Sequence, residues 1–478
     1  MKLLFLINNA SFFPNFFGKL AYETVKRGDN CLVVFNSKIA EYNKKKFFPE
    51  EAKFISKVDW CIKNYNKDKK DFNDLSWKEF FPIFDRFQGI DFNYNNSFKI
   101  VSQTCQFFEF IFEKEKPDVV ISEVPAGLFH NTAYHFCEKK NILYLDFTVS
   151  RISGMIEVLD KKFTFLKYEE NFKKINSSDL SESNKHFARE IVDQFTSHKK
   201  VPTYMNLPKI YLSQIDIIRH FVKRIKEYGK LLLKYFKERK RFKDFDYESE
   251  AILNNAIKSP WKIERRKFKI LFQRHIFDKF DKDKNEDFFF YPLHFQPESS
   301  TSVYATYYSD QLNTIKNVAF SMPFPYKLYV KEHPVAVGTR PKSFYKKLKE
   351  IPNVVLIAPY ENVENIVKNS LGVIILTSTI GLEAALAGKP VYVLGDVFYS
   401  YHPLCKSIKN FEELKEKIEK DLAKRPDTND LENINSRFII SYFKNTIEGS
   451  ILSASIGEDK NDYELIYKNI KKIILDRN

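Results

Sequence analysis

Cysteine is scarce and scattered. The 478 residues hold five, Cys31, Cys61, Cys105, Cys137 and Cys405, an odd number with no CxxC pair. That argues against a disulfide framework or a structural zinc site and fits a reducing cytoplasm. Long apolar runs are missing too: no stretch approaches the ~20 apolar residues of a membrane span. The opening MKLLFLINN carries only the run LLFLI before Asn8 and Asn9. This is shorter than the ~7–15 residues of a signal-peptide core, and it reads as a first β-strand. There is no glycine-rich Walker loop, no HExxH and no GxSxG, so the sequence offers none of the phosphate-loop, zinc-protease or serine-hydrolase signatures. No repeat of solenoid length and no low-complexity linker interrupts the chain. The expected location is cytoplasmic, with peripheral attachment to the inner face of the cell membrane as the alternative.

What is present is positive charge. Lys and Arg number 77 against 62 Asp and Glu, a net charge of +15 that suggests an anionic partner. A nucleotide, an acidic glycan and an anionic membrane surface all fit. Nucleic acid is not expected, because no recognition motif accompanies the charge.

The chain is long enough for two or three cores. KLLFLI (2–7) and NCLVVF (30–35) read as strands around a helix near 16–27, and 36–98 shows few clean periodicities. A strand–helix–strand unit follows: PDVVISE (117–123), a helix near 127–139 and NILYLDF (141–147). Glu123 falls at a strand end and Arg151 just past the next one, so the two are expected on one rim. From 160 to 285 the pattern is helical and charged. Between 209 and 243, Tyr211, Ile215, Ile218, Val222, Ile225, Leu232 and Phe236 recur at helical spacing, opposite Lys223, Arg224, Lys226, Lys230, Lys234 and Lys237. This predicts either a helix packed on a neighbour with a solvated basic face or an element drawn to anionic lipid.

Residues 288–395 carry the most regular pattern. The strand-like runs FFFYPL (288–293), YKLYV (326–330), NVVLIA (353–358), GVIIL (372–376) and PVYVL (390–394) alternate with helical stretches. That predicts a parallel sheet with helices on both faces and a ligand at the carboxyl rim. Polar pieces fall at that rim. Thr377, Ser378 and Thr379 open a helix, where free N–H groups and the helix dipole suit a phosphate, and Glu383 one turn on suits the hydroxyls of a ribose. Lys331, Glu332 and His333 end a second strand. His333 can donate to a phosphate oxygen at a leaving group, with Lys331 adding positive charge. His294, Gln296 and Glu298 follow a third strand, around Pro297. Each piece alone also reads as an ordinary cap, a structural histidine or a polar loop; their convergence on one rim is what points to a site. Glu123 is the candidate carboxylate of the first region, as general base or as a group acting at an anomeric carbon, with Asp146 and Asp160 as rivals. DFD (244–246) reads as a chance pair of acids rather than a metal site.

These pieces in order carry a resemblance. QPE with SST, YSDQ (308–311), LYVKEHP, IPNVVLIAP, TSTIGLEAALAGKPV and Phe398–Tyr399 resemble the capsule polysaccharide synthesis family, which includes bacterial β-Kdo transferases. The likeness covers about 288–400, is thinner over 1–160 and does not extend to 160–285. It implies an α/β chain with two Rossmann-like domains facing a cleft (GT-B type) and a helical insertion. The implied domains are an acceptor domain at 1–160, a basic helical insertion at 161–285, a nucleotide-sugar domain at 286–425 and a helical tail at 426–478 packing back on the first. The implied activity moves Kdo or a related ulosonic acid from a CMP-sugar to a glycolipid or oligosaccharide acceptor, with no metal and no cofactor. Glu123, His333 and Glu298 would be catalytic. Gln296, Lys331, His333, Ser378, Thr379 and Glu383 would hold the donor. The family's acid–acid–glycine piece is absent from the first region. A UDP-sugar transferase or epimerase on the same fold and a non-catalytic scaffold of polysaccharide assembly are the alternatives.

Overall fold

The structure is a computed structural model that describes residues 1–10, 12–69, 72, 75–80, 93–160, 166–176, 178, 180–197, 233–284 and 286–476. Its contacts divide the chain into two units. One comprises Met1–Lys162, Pro202–Lys258 and Thr446–Asn478; the other comprises Phe163–Val201 and Ser259–Asn445. The stretch 161–285 is thus shared between them, and 426–478 divides at residue 446.

Among the described residues the first unit is built on seven strands: β1 Lys2–Ile7, β2 Asn30–Phe35, β3 Lys53–Ser56, β4 Val119–Glu123, β5 Leu143–Val149, β6 Met155–Leu159 and, late in the chain, β13 Thr446–Glu448. Their order is β13-β6-β5-β4-β1-β2-β3. β3, β2, β1, β4 and β5 run parallel, while β6 and β13 add antiparallel at one edge. Period-two alternation splits each inner strand between two cores. Leu3, Phe5, Ile7, Val33 and Ile121 pack on one face; Leu4, Leu6, Val34 and Val120 pack on the other. The first core is closed by the helix Phe13–Lys26 and by the C-terminal helix Tyr463–Leu475, which contributes Ile466, Ile470 and Ile474. The order reverses between β1 and β4, the switch point at which a doubly wound sheet leaves a crevice.

Among the described residues the second unit has six strands, all parallel: β7 Phe288–Pro292, β8 Lys327–Lys331, β9 Val354–Ile357, β10 Gly372–Ile375, β11 Val391–Val393 and β12 Cys405–Ser407. Their order, β12-β11-β10-β7-β8-β9, is that of a dinucleotide fold with its switch point between β7 and β10. Each of the five strands expected over 288–395 is present.

Of the basic stripe at 209–243, residues up to 232 lie outside the described residues. Within the helical turn sequence 233–242, Tyr235 and Phe242 are buried, whereas Phe236 is 48% exposed. The buried face is therefore one residue off the expected stripe. Tyr235 donates from its hydroxyl to Glu250 at 3.0 Å and packs with Ile39, Val58 and Phe242. A specific polar partner has overridden simple apolar spacing.

Candidate functional site

The carboxyl rim of the second unit's sheet carries one continuous hydrogen-bonded network. It starts at the end of β8, where Glu332 is fully buried and accepts three hydrogen bonds. The donors are the Arg340 Nε at 2.9 Å, the Tyr345 hydroxyl at 2.7 Å and the backbone N–H of His333 at 2.7 Å. Arg340 also donates to the carbonyl of His294, past the end of β7. The His294 ring then reaches β10: its Nε2 accepts the Thr377 backbone N–H at 3.1 Å. Gln311 clamps the same loop, taking the His294 N–H at 2.8 Å and donating to the His294 carbonyl at 3.0 Å and to Gln296 Oε1 at 2.6 Å. The loops after β7, β8 and β10 are thereby locked together at the switch point.

This network fixes the tautomers of two histidines. His333 Nδ1 accepts the Val335 N–H at 3.2 Å, so its proton sits on Nε2, which becomes a donor. Burial, aided by Lys331 and Arg340, pushes the His333 imidazole down to about 4, so it is neutral at pH 7. His294 is the mirror case. Its Nε2 is an acceptor and its buried Nδ1 makes no hydrogen bond to protein. Burial together with His333 and Arg340 pushes it down to about 3.

Ser378 caps the helix Thr379–Leu386, its Oγ accepting the Ile380 N–H at 3.2 Å, and Tyr399 donates to its carbonyl. Space here is tight. A methyl group on Gly395 would lie 2.8 Å from Thr377 Cγ2 and 2.9 Å from Leu376 O. We expect Gly395→Ala to displace the Thr377–Ser378 turn and to cost about 1–3 kcal/mol, read as a lower melting temperature. A wild-type melting temperature would show that the turn has slack.

The other expected site residues fall at different distances from the network. Lys331 is buried and donates to the Pro359 carbonyl at 2.6 Å; burial pushes it down to about 8. Glu298 is exposed at the start of the turn Ser299–Ser302 and accepts from the Ser300 hydroxyl at 3.0 Å. Thr377 Oγ1 donates to the Ser300 carbonyl at 2.9 Å, which ties that turn to β10. Glu383 sits on the capped helix, where burial pushes its carboxyl up to about 8. A carboxyl raised in the folded state contributes stability that is present below its unfolded value of 4.5 and is lost as pH rises through 8. Glu383→Gln is therefore expected to flatten the fall in melting temperature between pH 5 and 8, a difference on the order of a few kcal/mol. Parallel wild-type and mutant curves would refute that environment.

In the first unit, Glu123 ends β4 and accepts from the side chain of Asn8, just past β1. His130 Nε2 lies 3.9 Å from the same carboxylate. Asp146 is buried within β5. Asp246, of the DFD piece, is buried and accepts the Lys38 N–H at 2.8 Å, while Asp244 faces Lys99 at 3.3 Å. Among the described residues no three His, Cys, Asp or Glu side chains gather into a metal-binding group, and no helix is long and apolar enough to cross a membrane. Sequence reasoning missed the structural roles of Glu332, Arg340, Tyr345 and Gln311. Only the adjacency of Glu332 to His333, and the place of Gln311 as the last residue of the YSDQ piece, hinted at them.

Fold and rim together define a chain with two Rossmann-like units, each parallel at its centre and each with polar side chains gathered at a switch point. Residues 234–427 match the family described as capsule polysaccharide biosynthesis protein. No curated protein matches the sequence. Among solved structures the chain is similar to the β-Kdo 2,7 transferase part of KpsC from Thermosulfurimonas dismutans, at 11% identity and TM-score 0.37, over 77% of this chain and 89% of that one. The β-Kdo 2,4 transferase part of the same protein gives 13% and 0.34, over 68% and 80%. A UDP-GlcNAc 2-epimerase from Methanocaldococcus jannaschii gives 13% and 0.26, over 93% and 99%.

Proposed function

We propose that this protein is a glycosyltransferase of capsule or surface-glycan synthesis. It uses a CMP-activated ulosonic acid such as Kdo and needs no metal. The observation that carries the reading is the network joining Thr377, His294, Arg340, Glu332 and His333. It holds a neutral imidazole with an Nε2–H donor at the carboxyl rim of a dinucleotide-type sheet. The same rim carries the N-terminus of the helix Thr379–Leu386. A phosphate there is met by backbone N–H groups at the helix start and by His333, while Gln296 and Glu383 are the candidates for the sugar and ribose hydroxyls. As the bond from the anomeric carbon to the phosphate oxygen breaks, negative charge grows on that oxygen. A fixed Nε2–H donor stabilises that charge without giving up its proton. Glu123 is the candidate carboxylate for the acceptor side. The family match over 234–427 supports the setting in capsule synthesis.

The test is a pair of measurements. CMP is expected to raise the melting temperature where UDP does not, and CMP-Kdo with a glycolipid acceptor is expected to release CMP. Protection by UDP alone would refute the donor. Protection by CMP without any turnover would instead favour a scaffold.

A further inference from the structure

The first unit has its own cluster of polar side chains at its own switch point, and it is not explained by the donor site. Asn8 and Asn9 follow β1, and each is tied to a different carboxylate. Asn8 donates to Glu123 at the end of β4; Asn9 Nδ2 donates to Glu248 Oε2 at 2.9 Å and to Ser37 Oγ at 2.9 Å. Glu248 opens the long helix Tyr247–Gln273, in a stretch that no motif singled out, and it is only 8% exposed. Between the two carboxylates lies Lys44, 4% exposed, whose Nζ is held by the carbonyls of Asn8 (2.7 Å) and Ala10 and feels the charge of both acids.

Two amides here have buried atoms without a hydrogen-bond partner. Asn9 Oδ1 accepts no hydrogen bond. Asn36, just past β2 and 1% exposed, stands beside the Tyr247 hydroxyl yet makes no well-formed side-chain hydrogen bond through Nδ2 or Oδ1. A buried polar group left unmet costs about 1–3 kcal/mol, and natural proteins rarely keep several together without a ligand or water to meet them.

The donor set indicates what fits. Two ammoniums, Lys44 on its two carbonyls and the buried Lys57, face the three carboxylates Glu123, Glu248 and Asp246, so the cluster has no surplus positive charge for a phosphate. Carboxylates that accept and amides that both donate and accept match sugar hydroxyls, which do both. We propose that Asn8, Asn9, Asn36, Lys44, Glu123 and Glu248 form a saccharide-hydroxyl site, with Glu248 as a second binding carboxylate beside Glu123. Within the proposed transfer, on which this assignment of role rests, it is where the acceptor's hydroxyls are oriented; the binding itself needs no donor.

The test uses the full chain and a panel of methyl glycosides, neutral hexosides and the Kdo glycoside, followed by saturation-transfer NMR. At least one glycoside is expected to bind the wild type. Glu248→Gln and Glu123→Gln, each with a wild-type CMP-induced melting shift as proof of an intact second unit, are expected to weaken it tenfold or more. Inorganic phosphate at equal concentration is expected not to displace it. Unchanged binding in Glu248→Gln, displacement by phosphate, or no glycoside bound by the folded wild type would each overturn the site. A wild type that binds glycoside but releases no CMP from CMP-Kdo would sink the transferase reading and leave the site standing.

Discussion

His333→Ala should lower kcat for CMP release by about 10²–10³, the loss seen when one fixed donor to a developing oxyanion is removed. The effect on affinity for the intact CMP-sugar should be much smaller. In the intact CMP-sugar the bridging phosphate oxygen carries little of the charge that appears when its bond to the anomeric carbon opens, so the ground state gains less from the Nε2–H group. His333→Gln separates the two ring nitrogens. Its side-chain amide can still donate toward the phosphate, but it is not built to accept the Val335 N–H that orients the imidazole. It should recover part of the activity that alanine loses. The pH dependence follows from the neutral state. With the imidazole pushed down to about 4, lowering the pH from 8 to 6 leaves it uncharged, and this residue should add no acid limb in that range. An alanine variant within threefold of wild type, or activity that climbs steeply toward pH 5 and vanishes with His333, would refute the role of a neutral donor.

Much of this rim was legible in the sequence, for a definite reason. Parallel strands buried on both faces read as short apolar runs, and the residues that break them fall where a ligand is met. His294, His333 and Ser378 could be placed on one rim from those breaks alone. The pieces that hold them in place could not. Glu332 looks like one polar residue in KEHP, and its burial follows from Arg340 and Tyr345 folding back, 8 and 13 residues on. Gln311 begins a helix, yet its amide serves the loop before that helix. Side-chain partners set by the folded backbone leave no periodic trace.

The short edge strands were missed for a related reason. β3, β12 and β13 have only three or four residues, too few to show alternation. β13 pairs Ile447 with Ile156, a contact that tertiary structure brings about across most of the chain. Glu248 was hidden by its company. It stands in a helical, highly charged stretch where one more acid reads as solvated surface, and only the return of that helix to β1 buries it beside Asn9.

The second large effect is expected at Glu332. Its carboxylate is fully buried and joined to Arg340, itself only 12% exposed, at 2.9 Å. Glu332→Ala removes the acceptor for the Arg340 guanidinium, the Tyr345 hydroxyl and the His333 N–H together. Breaking a buried ion pair from one side leaves a charge that neither water nor protein neutralises, which costs about 3–5 kcal/mol. Replacing both partners by apolar groups is the milder change, so Glu332→Leu with Arg340→Leu should recover part of that stability. Activity should not return in the double variant. Arg340 also donates to the His294 carbonyl, so the loops after β7 and β8 lose their common anchor. Glu364→Ala, at an exposed helix start, serves as the control and should stay within about 0.5 kcal/mol. Urea unfolding followed alongside CMP binding decides the matter. A loss below about 1 kcal/mol in Glu332→Ala would mean that water reaches the guanidinium; a double variant that regains both stability and turnover would mean that the network packs the rim without positioning His333.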